Sequence, residues 1–378
     1  MDFAINATYK AGGGQIPQLI NLLHYANIYA KGELNKVFIY ITKRNLRIIR
    51  SRGVDLSNLN IIRCTIPNIS TFIRVLWEQT IFPILLIMKN IEVVFFPGNI
   101  SIFLKSVKTV QWIGTIGPFW DEMYNYDIPK LKFKMNKYFM YKTAEKADKV
   151  IFESNYTKNY FINNYSIHEK RCEVLNIGKD INYYPEMDNE ILNKFGINDS
   201  FALCVSHFYP YKNLERMVEA FGIAKKQTKS EIKLYIAGEK IFDKYYNDVI
   251  NRINLFGLNN SIKLLGKIDQ IELRTLYSSA RFLISPSPCE NFAYTLVEAM
   301  CCGSSITCAN STAMPETCGD AAIYFDPEKT NEMAGAMEKL IFDSELCKKL
   351  SSLSISRASK LPNYEQVFNE TVNIINKL

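Results

Sequence analysis

The 378-residue sequence is longer than one hydrophobic core usually organises, so two domains are expected. Its 48% hydrophobic and 22% charged residues, with 17 Gly and 13 Pro, exclude a disordered or collagen-like chain. The net charge is +7, and the basic excess lies in residues 1–180, which hold 24 Lys and Arg against 14 Asp and Glu. The longest apolar run, 81–88, is far shorter than the roughly 20 residues of a membrane helix, so no membrane span is predicted.

The N-terminus is typical of a short strand and lacks the basic start and apolar middle of a signal peptide. We therefore expect a cytoplasmic protein whose nine cysteines are reduced. There is no C-x-x-C pair and there are only three histidines, so no structural zinc site is predicted.

Short apolar runs bounded by Gly, Pro, Asn or Ser alternate with helical patterns along the chain, which predicts an α/β protein with parallel sheets. The pattern restarts near Ser200, after a polar stretch at 185–198 that we place near the junction. We predict two Rossmann-like, doubly wound domains facing a cleft, at 1–183 and 184–362, and a last helix within 363–378 that returns to the first domain. The predicted strands are 3–7, 37–41, 93–96, 109–113, 149–153, 173–175, 202–205, 233–237, 262–265, 282–285, 305–307 and 322–325.

Glycines at 12, 13 and 14 follow the first predicted strand. Consecutive glycines allow backbone N–H groups to approach a phosphate or a sugar closely, and the following helix N-terminus favours negative charge. A dinucleotide fingerprint needs a third glycine where Pro17 stands, which argues against a nicotinamide or flavin site. A tight connecting turn is an equally good interpretation of Gly12, Gly13 and Gly14.

The segment 130–149 interleaves lysines with Phe, Tyr and Met at helical spacing. Such a helix suits an anionic membrane surface, and an ordinary amphipathic helix with solvated lysines fits equally well. No RNA- or DNA-binding signature accompanies it, so no nucleic-acid partner is expected.

The loop after strand 202–205 contains His207 and Lys212. We place Lys212 in the first turn of the next helix, where a cation does not complement that helix's own dipole. Binding of an anion such as a diphosphate explains the position of Lys212 better. The alternative is a solvated surface lysine.

The loop after strand 282–285 is the most informative part of the sequence. It carries Glu290 in a turn, and a helix predicted to begin near Ala293 carries Glu298 among apolar residues. A buried carboxylate without partners costs several kcal/mol, so Glu298 needs partners. The two vicinal hydroxyls of a ribose or the cation of a nearby Lys or Arg would both serve.

The spacing from Glu290 to Glu298 resembles the E-x(7)-E donor motif of the retaining, GT-B-fold glycosyltransferases of family 4. Further similarity to that family covers residues 201–327 and, more loosely, the first half. The matching elements are Lys212-Asn213-Leu214, Ile236-Ala237-Gly238, Leu264-Leu265-Gly266, Leu276-Tyr277, Ala280, Met314-Pro315-Glu316, Gly319-Asp320-Ala321-Ala322, Phe325-Asp326-Pro327, Gly12 to Gly14, Arg74-Val75-Leu76-Trp77-Glu78-Gln79, Ala147-Asp148 and Ser154.

The resemblance implies a retaining hexosyltransferase of lipopolysaccharide, O-antigen or capsule biosynthesis, with a nucleotide-sugar donor and a lipid-linked or oligosaccharide acceptor. It implies Lys212 and Glu290 as catalytic residues, with Glu290 accepting hydrogen bonds from the transferred sugar and Glu298 from the ribose. No Asp-x-Asp occurs, so neither a metal nor another cofactor is expected. The implied donor-binding residues are Gly12, Gly13, Gly14, His207, Asn291, Phe292, Ala293, Tyr294, Thr295 and Glu298.

Three departures from the family pattern affect these expectations. His207 stands where Arg is usual, which replaces a fixed charge by a titratable one. Asn291 and Ala293 stand where Gly is usual. The acceptor-side histidine is missing, because its stretch is occupied by Gln111-Trp112-Ile113-Gly114-Thr115.

Two alternative functions remain open: a two-domain sugar-nucleotide epimerase and an inactive sugar-nucleotide-binding interaction protein. The basic first half makes the inner face of the plasma membrane a candidate site of peripheral contact.

Overall fold

The computed structural model describes residues 2–12, 14–32, 36–103, 107–126 and 129–378. The chain forms two compact units. Unit 1 comprises Met1–Phe119, Pro129–Gly178 and Pro362–Leu378, and unit 2 comprises Trp120–Ile128 and Lys179–Leu361. The boundaries thus follow Gly178 and Leu361, against sequence predictions of 183 and 362, and the segment 185–198 lies inside unit 2.

Unit 1 contains a parallel sheet in the order β3-β2-β1-β4-β5-β6-β7. Ile5 of the central strand pairs with Ile39 on one side and Phe95 on the other. The seven strands are β1 (Phe3–Ala7), β2 (Val37–Thr42), β3 (Asn60–Cys64), β4 (Val93–Phe96), β5 (Lys108–Ile113), β6 (Lys149–Phe152) and β7 (Cys172–Val174).

Every residue of β1 and β2 is buried, as expected for strands covered on both faces by helices. The strand β3 was missed by the sequence prediction. It lies at the edge of the sheet, where Asn60 and Arg63 are exposed, so it lacks the continuous apolar run of a central strand. The first helices of unit 1 are α1 (Gln15–Gly32), α2 (Lys43–Ser51), α3 (Thr71–Met88), α4 (Lys130–Ala144) and α5 (Asn155–Asn164).

The helix α3 has a mean hydropathy of 1.4 over 18 residues, and within the described ranges it alone is long and apolar enough to cross a membrane. The sequence prediction of no span considered only the unbroken run 81–88, whereas the helix begins ten residues earlier, at Thr71. Of this helix, 39% is buried inside unit 1, and the core helix of a soluble protein meets the same criterion.

Unit 2 contains a second parallel sheet in the order β10-β9-β8-β11-β12-β13. Its strand positions agree with the sequence prediction to within two residues, because each is a short, mostly apolar run bounded by turn residues. The six strands are β8 (Phe201–Val205), β9 (Lys233–Ala237), β10 (Ile262–Gly266), β11 (Phe282–Ser285), β12 (Ile306–Ala309) and β13 (Ala322–Phe325).

Helices cover both faces of this sheet, and several have the capping residues expected at a helix start. Asp269 and Glu272, for example, form a reciprocal capping box. The helices of unit 2 are α6 (Asn189–Phe195), α7 (Leu214–Thr228), α8 (Asp243–Leu255), α9 (Gln270–Ser279), α10 (Tyr294–Cys301), α11 (Met314–Cys318), α12 (Thr330–Phe342) and α13 (Ser344–Ser359).

The last helix, α14 (Tyr364–Asn376), packs in unit 1 although it follows unit 2 in sequence. Its residues Phe368, Val372 and Ile375 join the core cluster that contains Leu19 and Leu23 of α1. Burial of these apolar side chains attaches the C-terminal segment to the first sheet.

Candidate active site

The loop that follows β8 is attached to the end of β9. Ser206 N–H donates to the Ala237 carbonyl (2.8 Å) and Phe208 N–H donates to the Glu239 carbonyl (3.0 Å). Phe208 is fully buried and anchors the loop below the surface. The side chains of His207 and Lys212 therefore project from a fixed segment at the carboxyl edge of the sheet, where ligands bind in parallel α/β folds.

The structure corrects the predicted position of Lys212. It ends a short 3-10 turn, Pro210–Lys212, and α7 begins only at Leu214. Between them Asn213 has φ 60°, and its side chain donates to the Pro286 carbonyl (3.3 Å) and the Pro327 carbonyl (2.8 Å). The left-handed residue thus interrupts the helix and ties the loops after three strands together.

Lys212 and Glu290 contact each other directly. Lys212 Nζ lies 2.5 Å from Glu290 Oε1, and each side chain is 19% exposed. Burial lowers the pKa of Lys212, but the Glu290 carboxylate and Tyr211 raise it, and the net direction is upward. Lys212 is therefore a permanent cation at neutral pH, and its partner is the other residue for which a catalytic role was predicted.

Glu290 is positioned by the loop after β12. Its backbone N–H donates to Thr312 Oγ1 (3.0 Å), and Ser311 Oγ donates to the Pro288 carbonyl (2.6 Å). Thr312 has φ 49°, an uncommon conformation for a residue branched at Cβ. Neither Ser311 nor Thr312 was identified from the sequence, since a Ser-Thr pair in a loop carries no distinctive pattern.

His207 accepts a hydrogen bond at Nδ1 from the Glu239 backbone N–H (3.0 Å). Nδ1 is consequently unprotonated, and the ring proton of the neutral imidazole lies on Nε2. Burial lowers the pKa of His207, with Glu239 opposing and Lys212 and Lys267 adding to the shift. The residue is thus a neutral donor near pH 7, and the fixed charge of an arginine is missing at this position.

The helix α10 begins at Tyr294, one residue after the predicted start, and its N-cap Ala293 offers no side-chain acceptor. Asn291, Phe292 and Ala293 are buried, while Tyr294 and Thr295 are half-buried in the first turn. A helix N-terminus of this kind presents backbone N–H groups and partial positive charge to an anion.

Glu298 is half-buried within α10, and its partners within the protein are hydroxyl groups and not the Lys or Arg cation that the sequence offered as an alternative to a ribose. Its Oε2 accepts from the Tyr277 hydroxyl (3.0 Å), and the Tyr183 hydroxyl also hydrogen-bonds to its carboxylate. Burial raises the pKa of Glu298 to about 7, although both tyrosine hydrogen bonds lower it. Two phenols therefore replace the predicted Lys or Arg, and Tyr183 went unnoticed because it lies in a segment without a motif.

Of the glycine loop, Gly12 and Gly14 are exposed in unit 1, and Gly13 lies outside the described residues. Gln15 N–H donates to the Gly12 carbonyl (3.1 Å) at the start of α1. A Cβ added to Gly12 would meet no atom within 4 Å, so open space surrounds this backbone. Gly12 and Gly14 are therefore accessible to a ligand, which both the ligand-binding and the connecting-turn interpretations allow.

A buried polar cluster at the end of β1 was also missed. Glu78 Oε1 accepts from Asn6 Nδ2 (3.0 Å) and Thr8 Oγ1 (2.9 Å), and Arg74 Nη1 lies 3.9 Å away. The sequence signal was an Arg and a Glu four residues apart inside an otherwise apolar helix. In the part of the chain that is described, no three His, Cys, Asp or Glu residues cluster closely enough to hold a metal ion.

Comparison with known proteins shows similarity to one family over part of the chain. Residues 187–356 match the family described as Glycosyl transferases group 1. The O-antigen chain mannosyltransferase B of Escherichia coli is 22% identical over 250 residues, which cover 65% of each protein. A Campylobacter jejuni enzyme, N-acetylgalactosamine-N,N'-diacetylbacillosaminyl-diphospho-undecaprenol 4-alpha-N-acetylgalactosaminyltransferase, is 23% identical over 59% of each chain. The chain thus matches less than two thirds of the length of these relatives.

Similarity to solved structures extends over the whole chain. Anabaena Alr3699/HepE, solved in complex with UDP, superposes with a TM-score of 0.77 at 16% identity, with 100% of both chains covered. Residues 187–356 thus resemble the glycosyl transferases group 1 family, and the two parallel-sheet units have the GT-B fold of the solved glycosyltransferase structures.

Proposed function

We propose that this protein is a metal-independent, retaining glycosyltransferase that moves a hexose or deoxyhexose from a nucleotide sugar to a lipid-linked surface glycan such as an O-antigen or capsule. The observation that carries the proposal is the Lys212–Glu290 pair at the carboxyl edge of the second sheet, with Glu298 eight positions further on. The names of the relatives support an O-antigen role and an acceptor on a polyprenyl diphosphate.

In the proposed reaction, the diphosphate of the donor lies between Lys212 and the N-terminus of α10, with His207 Nε2–H as a further donor. Charge-assisted contacts of this type contribute about 1.5–3 kcal/mol each, and they stabilise the negative charge that develops as the diphosphate leaves. Glu290 exchanges part of its contact with Lys212 for hydroxyls of the transferred sugar, and Glu298 accepts from the ribose.

The sugar keeps its anomeric configuration by a same-face displacement. The acceptor oxygen forms a bond to the anomeric carbon on the face from which the diphosphate departs. The bond from that carbon to the phosphate oxygen breaks, and both of its electrons stay on the phosphate. That phosphate oxygen then takes the proton of the acceptor hydroxyl, so no separate protein base is required.

Substitution of the ion pair tests the proposal. After a thermal-shift survey of UDP-, GDP- and dTDP-sugars has identified the donor, turnover is measured with a polyprenyl-diphosphate-linked sugar as acceptor. Lys212→Ala and Glu290→Gln should each lower kcat by about 10²–10³-fold, the loss typical of a removed transition-state contact. Lys348→Ala, which breaks an exposed ion pair with Glu345 (2.8 Å), is the matched control and should have no effect.

Near-normal turnover in both site variants would remove the assigned site. Conversion of the nucleotide sugar into its epimer, without an acceptor and without net release of nucleoside diphosphate, would favour the epimerase alternative, and donor binding without turnover would favour an inactive binding protein. Nuclear magnetic resonance of the product gives the anomeric configuration directly, and an inverted product would contradict the same-face step.

A further inference from the structure

One side of α3 is exposed and apolar along its whole length. The large side chains on this side are between 42% and 74% exposed, and most follow a four-residue spacing that forms a stripe along the helix. The only other exposed residues of α3 are Thr71 and Thr80, so the exposed face of α3 carries no charge. We call this surface the α3 stripe; its large residues are Phe72, Leu76, Ile81, Ile84, Ile87 and Met88.

The opposite side of α3 is firmly held by unit 1. Trp77 and Phe82 stack with ring centroids 5.1 Å apart, and Phe82 also contacts Tyr40 (4.8 Å). Arg74 and Glu78 are buried on this side and belong to the polar cluster at the end of β1. A membrane-spanning position would remove these aromatic contacts and expose two charged side chains to lipid, so the helix is suited to lie on a bilayer and not across it.

A basic helix, α4, is connected to α3 through residues 101–103. Gln79 of α3 donates to the Ser101 carbonyl (2.8 Å) and accepts from the Phe103 N–H (2.9 Å), and the Phe103 ring lies 6.0 Å from that of Phe139 in α4. The helix α4 contains five lysines and no acid. Three of them are exposed: Lys130, Lys132 and Lys134.

We propose that the α3 stripe inserts into the interface of an anionic bilayer while the lysines of α4 contact its headgroups. The charge pattern selects this occupant: a second copy of the chain would bring two lysine-rich helices together, whereas anionic lipid complements them. This inference rests on the proposed function, in which the acceptor is carried by a lipid. It identifies the α3 stripe as the surface by which unit 1 reaches that lipid.

Vesicle co-sedimentation of the full chain tests the inference. We expect binding to phosphatidylcholine vesicles that contain phosphatidylglycerol, and at least tenfold weaker binding for Leu76→Asp combined with Ile84→Asp. Leu255→Asp, at a 75% exposed site on α8 of unit 2, is the matched control and should bind as the wild type does. Equal binding by wild type and the double variant, or no binding by wild type, would overturn the proposal.

Two further measurements separate the outcomes. Leu76→Trp keeps the site apolar. Its fluorescence should shift to shorter wavelength with anionic vesicles and should be quenched by brominated lipid, and no change would contradict insertion.

Sedimentation velocity without vesicles tests for a second copy of the chain. Self-association that is lost in the double aspartate variant would instead assign the α3 stripe to a contact between two copies. The double variant should bind the nucleotide sugar normally and Lys212→Ala should bind vesicles normally, so failure here is distinguishable from failure of the proposed reaction.

Discussion

At the scale of single residues, Glu298 shows how its surroundings set the state of one carboxylate. Burial raises the pKa of Glu298 to about 7, so the folded protein favours the protonated form more than the unfolded chain does. The stabilisation from this carboxyl group is therefore complete below its ordinary pKa of 4.5 and is lost as the pH rises through about 7. The hydroxyls of Tyr277 and Tyr183 limit the shift because they donate to the ionised form.

The proposed ribose contact makes donor affinity depend on pH. The ionised carboxylate is the better acceptor, so affinity for the nucleotide sugar should rise as the pH increases through about 7. Tyr277→Phe removes a hydrogen bond that lowers the pKa of Glu298, and the midpoint should move to higher pH. Titration calorimetry between pH 5.5 and 8.5, about one and a half pH units either side of the midpoint, measures both effects.

Glu298→Gln is the control for this pH dependence, and it should flatten the profile. His207 has the opposite sign: its protonation at low pH adds positive charge near the diphosphate, and its pKa is lowered. An affinity that falls on the acid side therefore identifies Glu298. If the dependence of donor affinity on pH is unchanged in both Tyr277→Phe and Glu298→Gln, Glu298 does not contribute to donor binding.

At the scale of structural elements, the site depends on how closely the loops after the strands approach one another. Gly238, at the end of β9, lies against the loop after β8, and a Cβ built on it would be 1.9 Å from the Ser206 carbonyl oxygen. The obstacle is backbone and not the end of a flexible side chain, so the whole loop would have to move. Gly238 belongs to the motif Ile236-Ala237-Gly238, and its physical role is to admit the loop that carries His207 and Lys212.

Gly238→Ala should therefore destabilise unit 2 by about 1–3 kcal/mol, the usual cost of overpacking, and weaken donor binding. Gly335→Ala in α12 is the matched control: its new Cβ would meet nothing within 4 Å, and the change should stabilise the helix by about 0.5–1 kcal/mol. Thermal unfolding and donor titration of both variants check this. Wild-type stability in Gly238→Ala would show that the loop can move freely.

At the scale of the whole molecule, the chain leaves unit 1 at Gly178, forms most of unit 2, and returns to unit 1 for α14. Phe368 of α14 is 4% exposed, and its ring centroid lies 5.9 Å from that of Tyr29 in α1. The stability of unit 1 thus depends on residues that are distant in sequence, which makes both chain ends part of one core.

Phe368→Ala should destabilise unit 1 by about 3–5 kcal/mol, the cost of removing a buried phenyl ring. Hydrogen exchange is the suitable measurement, because it reports each sheet separately: protection should fall in β1 and β2 and stay unchanged in β8 and β9. Phe342→Ala, at a 67% exposed site on α12, should change neither sheet. Loss of protection confined to unit 2 would show that α14 stabilises the other unit.

Much of this architecture could be predicted from the sequence, because buried parallel strands are short apolar runs between turn residues whatever their partners. The strands β1, β4 and β11 were predicted at their observed bounds for that reason. The edge strand β3 was not, since two of its five side chains, those of Asn60 and Arg63, are exposed and its pattern is therefore weak. Sequence spacing likewise placed Glu290 and Glu298 on a turn and a helix after one strand.

The contacts made by those residues depended on tertiary structure. Lys212 and Glu290 are 78 positions apart, and only the packing of two loops at one sheet edge shows that they form an ion pair. Glu298 obtains Tyr183 and Tyr277 as partners from other segments for the same reason. Sequence by itself determined where most of the parallel strands lie, because short apolar runs between turn residues are a local pattern. The side chains that meet at the site were decided by the tertiary structure, because long-range contacts follow from the order of the strands and the path of the chain.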